Sequence, residues 1–310
     1  MARCRTFLFG RFQAESDEQP LSGLDGAKVQ ELYCFLLLHR DRPHPRASLA
    51  SLLWGDMPEA HARQYLRKAL WQLGTALESA AVSLIVEPGW IQFAPAAGYW
   101  LDVAQFETAY AHVEDIAGQK LNSAQAADLA AAVALYRGDL LEGCYQEWCL
   151  FERERLERMY LIMLEKLMLY CESQGQYESG ISYGVAALRH DRARERTHRR
   201  LIRLHYLSGN RSEALRQYQR CLQALQEELG VGPARSTVRL YEQVLAEASL
   251  DAPGPPAVPW PRADALGQDK AIRQLESLHQ LLLQMQLRIQ QELDNVGVAL
   301  APPDRQSQRS

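Results

Sequence analysis

The chain has 310 residues, of which 47 % are hydrophobic and 23 % are charged, and its formal net charge is −4 at pH 7. These values exclude a disordered chain and allow more than one hydrophobic core. They also exclude a general electrostatic attraction to nucleic acid, so any such binding requires a local basic patch.

The first elements alternate between strand and helix patterns. An alternating run at residues 6–9 predicts a short strand or hairpin element. Apolar residues recur at helical spacing from Lys28 to His39, and Pro43 and Pro45 follow that helix. A second helix is predicted from Ala47 to Trp54.

The third predicted helix, about residues 59–77, has an apolar stripe and a polar stripe. The apolar stripe consists of Leu66, Leu70, Leu73 and Leu77 and predicts a face packed on a core. At 100° per residue the opposite face carries His61, Gln64, Lys68, Trp71 and Thr75, with Arg67 and Gln72 on its flanks.

A hairpin is predicted directly after the third helix. Two strand-like runs, 84–86 and 90–93, are joined by the turn residues Pro88 and Gly89. Three helices followed by a hairpin are the layout of a winged helix, which we assign to residues 1–101.

From residue 102 to 249 every predicted element is a helix. Gly175 and Gly209 lie 34 residues apart, and apolar positions around them recur with the same period. Because 34 residues is the period of tetratricopeptide helix pairs, the spacing predicts a stacked helical repeat domain. The predicted fold class is mainly α with a small β component.

The C-terminal sixty residues have three different compositions. Residues 250–263 are rich in proline and predict a linker, and residues 297–310 predict a disordered tail. Residues 264–296 predict an amphipathic coiled-coil-like helix that pairs two copies of the chain or folds back on the helical domain. The positions expected to form the dimer seam are Leu275, Leu278, Leu282, Met285 and Ile289.

Motif content argues against metal, membrane and catalytic roles. The six cysteines form no CxxC pair or zinc-finger spacing, and no P-loop, GxSxG or HExxH motif is present. The N-terminus lacks a signal-peptide stretch, and the longest apolar run, 32–38, is too short for a bilayer. We expect a cytoplasmic, non-enzymatic protein with no cofactor, metal or membrane contact.

Several motifs occur in a specific order over about four fifths of the chain. They are Gly26-Ala27-Lys28 before 32–38, Leu52-Leu53-Trp54-Gly55, the segment 62–70, Trp100-Leu101-Asp102-Val103 before Phe106, the segment 135–143, and Glu147-Trp148. In this order the chain resembles the bacterial transcriptional activator domain family, which includes antibiotic regulatory proteins of the SARP type. The resemblance implies a winged helix-turn-helix of the response-regulator output type, fused to a tetratricopeptide-like activation domain.

The polar stripe of the third helix is the candidate DNA-reading surface. Its donors suit base edges and phosphates in a major groove. The candidate DNA-binding residues are Arg63, Gln64, Arg67, Lys68, Trp71 and Gln72, with Lys28 and Arg46 near other helix starts. The alternative is an ordinary solvated helix face. Trp71 either stacks on a base or sugar or packs beneath the wing.

The chain differs from the family in the second half of the third helix, where family members usually have more arginines. Gln72, Leu73, Gly74 and Thr75 stand in the second half of the recognition helix. Residues 1–100 contain ten Lys or Arg and ten Asp or Glu, so this part is neutral. Fewer cations predict weak binding by a monomer and a larger role for dimerisation or a partner.

A second basic region lies within residues 189–220, which hold ten arginines against three acidic residues. We expect Arg196, Arg199 and Arg203 to bind an acidic partner such as RNA polymerase or an effector protein. The alternative is a set of solubilising helix faces.

These patterns together predict a sequence-specific DNA-binding transcriptional regulator, with activation as the expected direction. Double-stranded DNA, a second copy of the chain, and polymerase or an effector protein are the expected partners. The rival hypothesis is a tetratricopeptide-type adaptor whose winged helix no longer binds DNA. The neutral charge favours the rival, and the basic first half of the third helix favours the regulator.

Overall fold

The computed structural model describes residues 4–78, 83–94 and 98–247. The linker, the heptad positions proposed for dimerisation and the tail lie outside the described residues. The strands are β1 (Cys4–Phe7), β2 (Gln13–Ser16), β3 (Gln19–Pro20), β4 (His44–Pro45), β5 (Ser83–Val86), β6 (Trp90–Ala94) and β7 (Tyr99–Leu101). The helices are α1 (Ala27–Leu38), α2 (Arg46–Trp54), α3 (Glu59–Glu78), α4 (Asp102–Ala111), α5 (Ser123–Leu135), α6 (Glu147–Ser173), α7 (Tyr177–His190), α8 (Glu195–Leu207), α9 (Arg211–Leu229) and α10 (Arg235–Leu245).

The N-terminal part has two small sheets around three helices. The first sheet has the strand order β3-β2-β1-β7, and β7 pairs parallel with β1. The second has the order β4-β6-β5, in which β5 and β6 are the predicted hairpin. Seven consecutive residues of α1, 32–38, are buried, so α1 is the central helix of this part. The winged-helix prediction is confirmed.

The helical part stacks antiparallel pairs, as the 34-residue period predicts. Gly175 and Gly209 follow α6 and α8 with φ values of 69° and 80°, a left-handed conformation that glycine adopts without strain. Where α7 crosses α8, a Cβ atom on Gly184 would lie 2.5 Å from Leu201. Glycine therefore sets the close approach of these two helices.

One hydrophobic core continues from the first sheet into α7, from Cys4 to Ala187. The predicted boundary at residues 101 and 102 falls between β7 and α4, inside this core. No helix in the described ranges is both long enough and apolar enough to cross a bilayer.

Backbone pairing also joins the two parts. The segment 139–142 lies against the turn after β1: the N–H of Leu141 donates to Leu8 O and the N–H of Gly10 donates to Asp139 O, at 2.8 and 2.9 Å. Arg153 on α6 holds this segment in place. Its guanidinium donates to the backbone oxygens of Leu140, Leu141 and Cys144 at 2.9 to 3.2 Å.

Asp102, the first residue of α4, is a buried carboxylate between β1 and the helix. The N–H groups of Leu8 and Phe9 donate to its Oδ2 at 2.8 and 2.9 Å, and the N–H of Val103 donates to its Oδ1 at 2.7 Å. Burial raises the pKa of Asp102 from 3.8 to about 6, although these three hydrogen bonds oppose the rise.

We expect Asp102 to make stability depend on pH. A folded-state pKa above the unfolded value adds stability that is fully present below about pH 4 and is lost as pH rises through about 6. About two pKa units correspond to about 3 kcal/mol. The free energy of unfolding of the wild type, relative to Asp102→Asn, should therefore fall by about 3 kcal/mol between about pH 3 and about pH 8 in urea titrations.

The control is Asp128→Asn, which changes an exposed aspartate on α5. Its stability relative to the wild type should stay nearly constant over the same pH range. A constant difference for Asp102→Asn as well would show that Asp102 does not titrate as its burial requires.

Candidate nucleic-acid interface

Helix α3 separates its two stripes as the sequence predicts. Leu66, Leu70, Leu73 and Leu77 are all buried in the core that α1 and α2 share. Gln64, Arg67, Lys68, Trp71 and Thr75 are exposed on the opposite side. We call these five residues the α3 stripe. Its long polar side chains are free to reach a ligand without disturbing the core.

Trp71 is the most unusual member of the α3 stripe. Its side chain is 71 % exposed, which excludes the alternative that it packs beneath the wing. A large indole that is mostly exposed to water is uncommon on a protein surface and indicates a contact surface.

The two cations of the α3 stripe are available for binding. Within the described ranges neither Arg67 nor Lys68 makes an ion pair, whereas Arg63 pairs with Glu59 one turn earlier. Gln72, predicted on the flank, is half-buried. The positive charge of the candidate surface is therefore small and comes from two cations that are adjacent in sequence.

The wing, which is the hairpin of β5 and β6, lies beside the start of α2. The N–H of Arg46 donates to Gly89 O at 3.1 Å, and the Arg46 guanidinium donates to Glu87 O at 3.4 Å. Strand β4 pairs with β6 just before this point. Arg46, predicted as a phosphate contact, thus also fixes the wing turn to α2. Sequence reasoning missed this role because its partners are backbone atoms about 40 residues away.

Lys28 lies apart on α1. Its Nζ donates to Glu31 Oε2 at 2.8 Å, so the charge of this predicted phosphate contact is already paired.

Exposed apolar residues on the wing were also missed by sequence reasoning. Ile85 and Val86 are both exposed at the end of β5. The run Leu84-Ile85-Val86 forms the predicted strand, and the buried residues of this hairpin are Ile91 and Phe93 on the facing strand. The wing therefore offers an apolar tip next to the turn at Glu87.

The arginines of α8 are largely engaged inside the helical domain. Arg203 and Arg200 both bind Glu172 on α6, at 2.6 and 2.7 Å. Arg199 donates to Ser236 Oγ at 2.9 Å and to Thr237 Oγ1 at 3.3 Å, on α10. Arg196 pairs with Glu165 but keeps 65 % of its side chain exposed. Of the three predicted partner-binding residues, Arg196 offers the most accessible charge.

The remaining chemistry-bearing residues form no centre. All six cysteines are unpaired, and the thiols of Cys144 and Cys149 lie in hydrogen-bonding contact. No group of three His, Cys, Asp or Glu side chains in the described part of the chain is arranged to hold a metal ion.

A three-helix unit with a hairpin wing, followed by stacked helix pairs, defines a winged-helix protein with a helical repeat domain. Residues 101–245 match the family model described as bacterial transcriptional activator domain. The match confirms the resemblance read from the sequence.

The chain is similar to two named regulators. The regulatory protein AfsR of Streptomyces coelicolor is 26 % identical over 245 residues, which cover 77 % of this chain and 24 % of AfsR. The transcriptional regulatory protein EmbR of Mycobacterium tuberculosis is 26 % identical over 263 residues, which cover 79 % of this chain and 64 % of EmbR. The chain thus spans about a quarter of AfsR and less than two thirds of EmbR.

One solved structure has the same fold. Mycobacterium tuberculosis EmbR in complex with a low affinity phosphopeptide aligns with a TM-score of 0.62 at 24 % identity. The alignment covers 80 % of this chain and 66 % of the EmbR chain. At this identity the likeness shows the fold.

Trp71 is mostly exposed and Leu73 is buried, so we expect truncation of Trp71 to change the free energy of unfolding little and truncation of Leu73 to lower it strongly. Trp71→Ala should change the free energy of unfolding by no more than about 0.5 kcal/mol, because its side chain buries little surface. Leu73→Ala, two residues along the same helix, should cost about 2–5 kcal/mol because it leaves a cavity. Urea unfolding of both variants makes the comparison, and a large loss for Trp71→Ala would contradict the position of the α3 stripe.

Proposed function

We propose that the protein is a sequence-specific DNA-binding transcriptional regulator of the activating type. Helix α3 enters a major groove, the wing contacts the neighbouring backbone, and the helical domain contacts polymerase or an effector protein. The observation that carries the proposal is the α3 stripe. Gln64, an exposed Trp71 and two cations that make no ion pair among the described residues share one face of α3, and the wing beside it is anchored.

The chemistry of the α3 stripe suits DNA reading. Arg67 is suited to a bidentate contact with guanine, and Gln64 is suited to adenine. Lys68 supplies a point charge for a phosphate, and Trp71 offers an apolar face to a base or sugar. The names of AfsR and EmbR as regulatory proteins support the same class of function.

The adaptor hypothesis remains the second candidate because one observation favours it. The α3 stripe carries only two cations, and two nearby candidate cations are paired with glutamates: Lys28 on α1, and Arg63 one turn after the start of α3. An adaptor would need an exposed apolar surface, and the wing tip with Ile85 and Val86 provides a small one. DNA selection separates the two functions.

The first experiment is selection from a pool of random duplexes by the full chain at two salt concentrations. Enrichment of a repeated motif supports the regulator and gives the spacing of half-sites, which reports how two copies are arranged. Absence of enrichment and of binding at low salt supports the adaptor.

On the selected duplex, Arg67→Ala and Lys68→Ala should each weaken binding by about 1–3 kcal/mol. If Lys68 contacts a phosphate, its loss should also reduce the salt slope of log K by about 0.9. Arg67→Ala should instead relax the preference at one base position. Titrations at several salt concentrations measure both effects.

Lys120→Ala is the matched control, since Lys120 is an exposed cation in the helical part. Equal affinities for all three variants and the wild type would reject docking by α3.

The partner contact of the helical domain is tested at Arg196. Arg196→Glu should reduce activation of transcription from a promoter carrying the selected site at least about threefold, since charge reversal opposes an acidic partner. The control is Arg158→Glu on α6, because Arg158 is also an exposed, ion-paired arginine. DNA affinity should be unchanged in both variants, and equal transcription by both would remove Arg196 from the contact.

A further inference from the structure

Two cysteines lie together where the chain enters α6. Cys144 precedes the helix, and Cys149 lies in its first turn. Both are free thiols, and their sulfur atoms are in hydrogen-bonding contact. Two thiols in contact can be joined in a disulfide by the loss of two electrons and two protons, which a single cysteine cannot achieve within one chain.

The two cysteines differ in their access to solvent. Cys149 is fully buried, whereas Cys144 is half-buried and lies on the wall of a cavity of about 450 Å³ between α1 and residues 141–148. The next residue, Tyr145, is 80 % exposed, so this wall borders the solvent. A small oxidant that arrives from solvent therefore meets Cys144 first, and Cys149 waits behind it.

The start of α6 favours the thiolate form of Cys144. Its sulfur accepts hydrogen bonds from the S–H of Cys149 and from the backbone N–H of Gln146, the residue that precedes the helix. The Gln146 side chain does not cap this helix of 27 residues, so the sulfur lies where a capping anion is stabilised. The bond from Cys149 is the main cause that lowers the pKa of Cys144, and the Arg153 guanidinium acts in the same direction. Burial and the Glu31 carboxylate oppose this decrease.

Cys171 on α6 and Cys221 on α9 provide a contrast within the same chain. Both are buried, and burial raises the pKa of each thiol. Because the thiolate is the nucleophile and the thiol is not, these two cysteines should react slowly with an oxidant.

We propose that Cys144 and Cys149 form a reversible oxidation site for a peroxide. The Cys144 thiolate attacks one peroxide oxygen, so that an S–O bond forms, the O–O bond breaks, and the leaving hydroxide takes up a proton to become water. The sulfur of Cys149 then attacks the sulfur of Cys144: an S–S bond forms, the S–O bond breaks, and the Cys149 proton leaves with the hydroxide as a second water. The two sulfurs lose two electrons, and the peroxide gains them.

Oxidation at this site acts on the junction between the winged helix and the helical domain. The N–H of Cys144 donates to Leu141 O at 2.9 Å, and its carbonyl oxygen accepts from Arg153 at 3.0 Å. Leu141 has a φ of 49°, a left-handed conformation that is unfavourable for leucine. A covalent bond draws Cys144 closer to α6 than hydrogen-bonding contact does, so these backbone bonds must adjust. The N–H of Leu141 also donates to Leu8 O, which carries the adjustment to the turn after β1.

The test treats the folded full chain with hydrogen peroxide, alkylates the remaining thiols after unfolding, and digests the product with trypsin. Cleavage after Arg137 and Arg153 releases one peptide, residues 138–153, whose only cysteines are Cys144 and Cys149. In mass spectrometry the disulfide form of this peptide carries no alkyl group and is lighter than the reduced, unalkylated peptide by two hydrogen atoms. Dithiothreitol added before alkylation should return the peptide to the doubly alkylated form.

We expect Cys144 to be oxidised at least about tenfold faster than Cys171 and Cys221, because only Cys144 is held in the thiolate form. The wild type should accumulate the disulfide in peptide 138–153. In Cys149→Ser the reaction should stop at the sulfenic acid of Cys144, which dimedone captures. In Cys144→Ser, Cys149 should stay reduced. Cys144 is half-buried, so Cys144→Ser keeps the fold even if the buried change Cys149→Ser does not.

Three results would overturn the proposal. The first is a wild type in which peptide 138–153 forms no disulfide while Cys171 and Cys221 are oxidised. The second is oxidation of Cys149 in Cys144→Ser at the wild-type rate. The third is a disulfide from Cys144 to Cys34 on α1, which would join peptides 138–153 and 29–40. The assay reads sulfur chemistry directly, so its outcome is independent of whether the chain binds DNA.

Discussion

The buried carboxylate of Asp102 is the interaction on which the arrangement of the two parts depends. It receives backbone N–H groups from Leu8 and Phe9, at the end of β1, while it begins α4. A charged group without water is costly unless it is fully hydrogen-bonded, so the strand end and the helix start must stay together. The parallel pairing of β7 with β1 and the bonds from Leu141 and Gly10 extend the same junction.

This junction couples the winged helix to the helical repeat domain. Because the core runs without interruption from the first sheet into α7, the winged helix and the first helices of the repeat domain are one packed unit. Packed cores resist gradual deformation, so a change at the junction would act on both parts together. Arg153 reinforces this coupling by holding residues 140–144 through backbone oxygens rather than through side chains.

The spacing of apolar residues along the sequence predicts most of the fold and the exposed side of α3. The 3.6-residue period of Leu66, Leu70 and Leu73 determines which side of α3 faces out, and the repeat of 34 residues determines the helix pairs. Two of the donors to Asp102, the N–H groups of Leu8 and Phe9, lie more than ninety residues away in sequence, where no local pattern points to them. The sequence predicts a partner contact for Arg199 and Arg203 because residues 189–220 contain many more arginines than acidic residues. Glu172 and Thr237, which bind them, lie outside that window.

The charge of the candidate surface constrains the energetics of any DNA complex. Arg67 and Lys68, which make no ion pair in the part of the chain that the structure describes, correspond to a salt slope of about −2 for one copy. This slope is small for a specific regulator. Affinity must then come from contacts that salt does not screen, and the α3 stripe has two such groups in Gln64 and Trp71. A second copy on an adjacent half-site would double both contributions and add the specificity of spacing. For the proposed regulator, an exposed indole beside only two cations therefore favours binding to DNA as one of a pair, with apolar contact supplying much of the affinity.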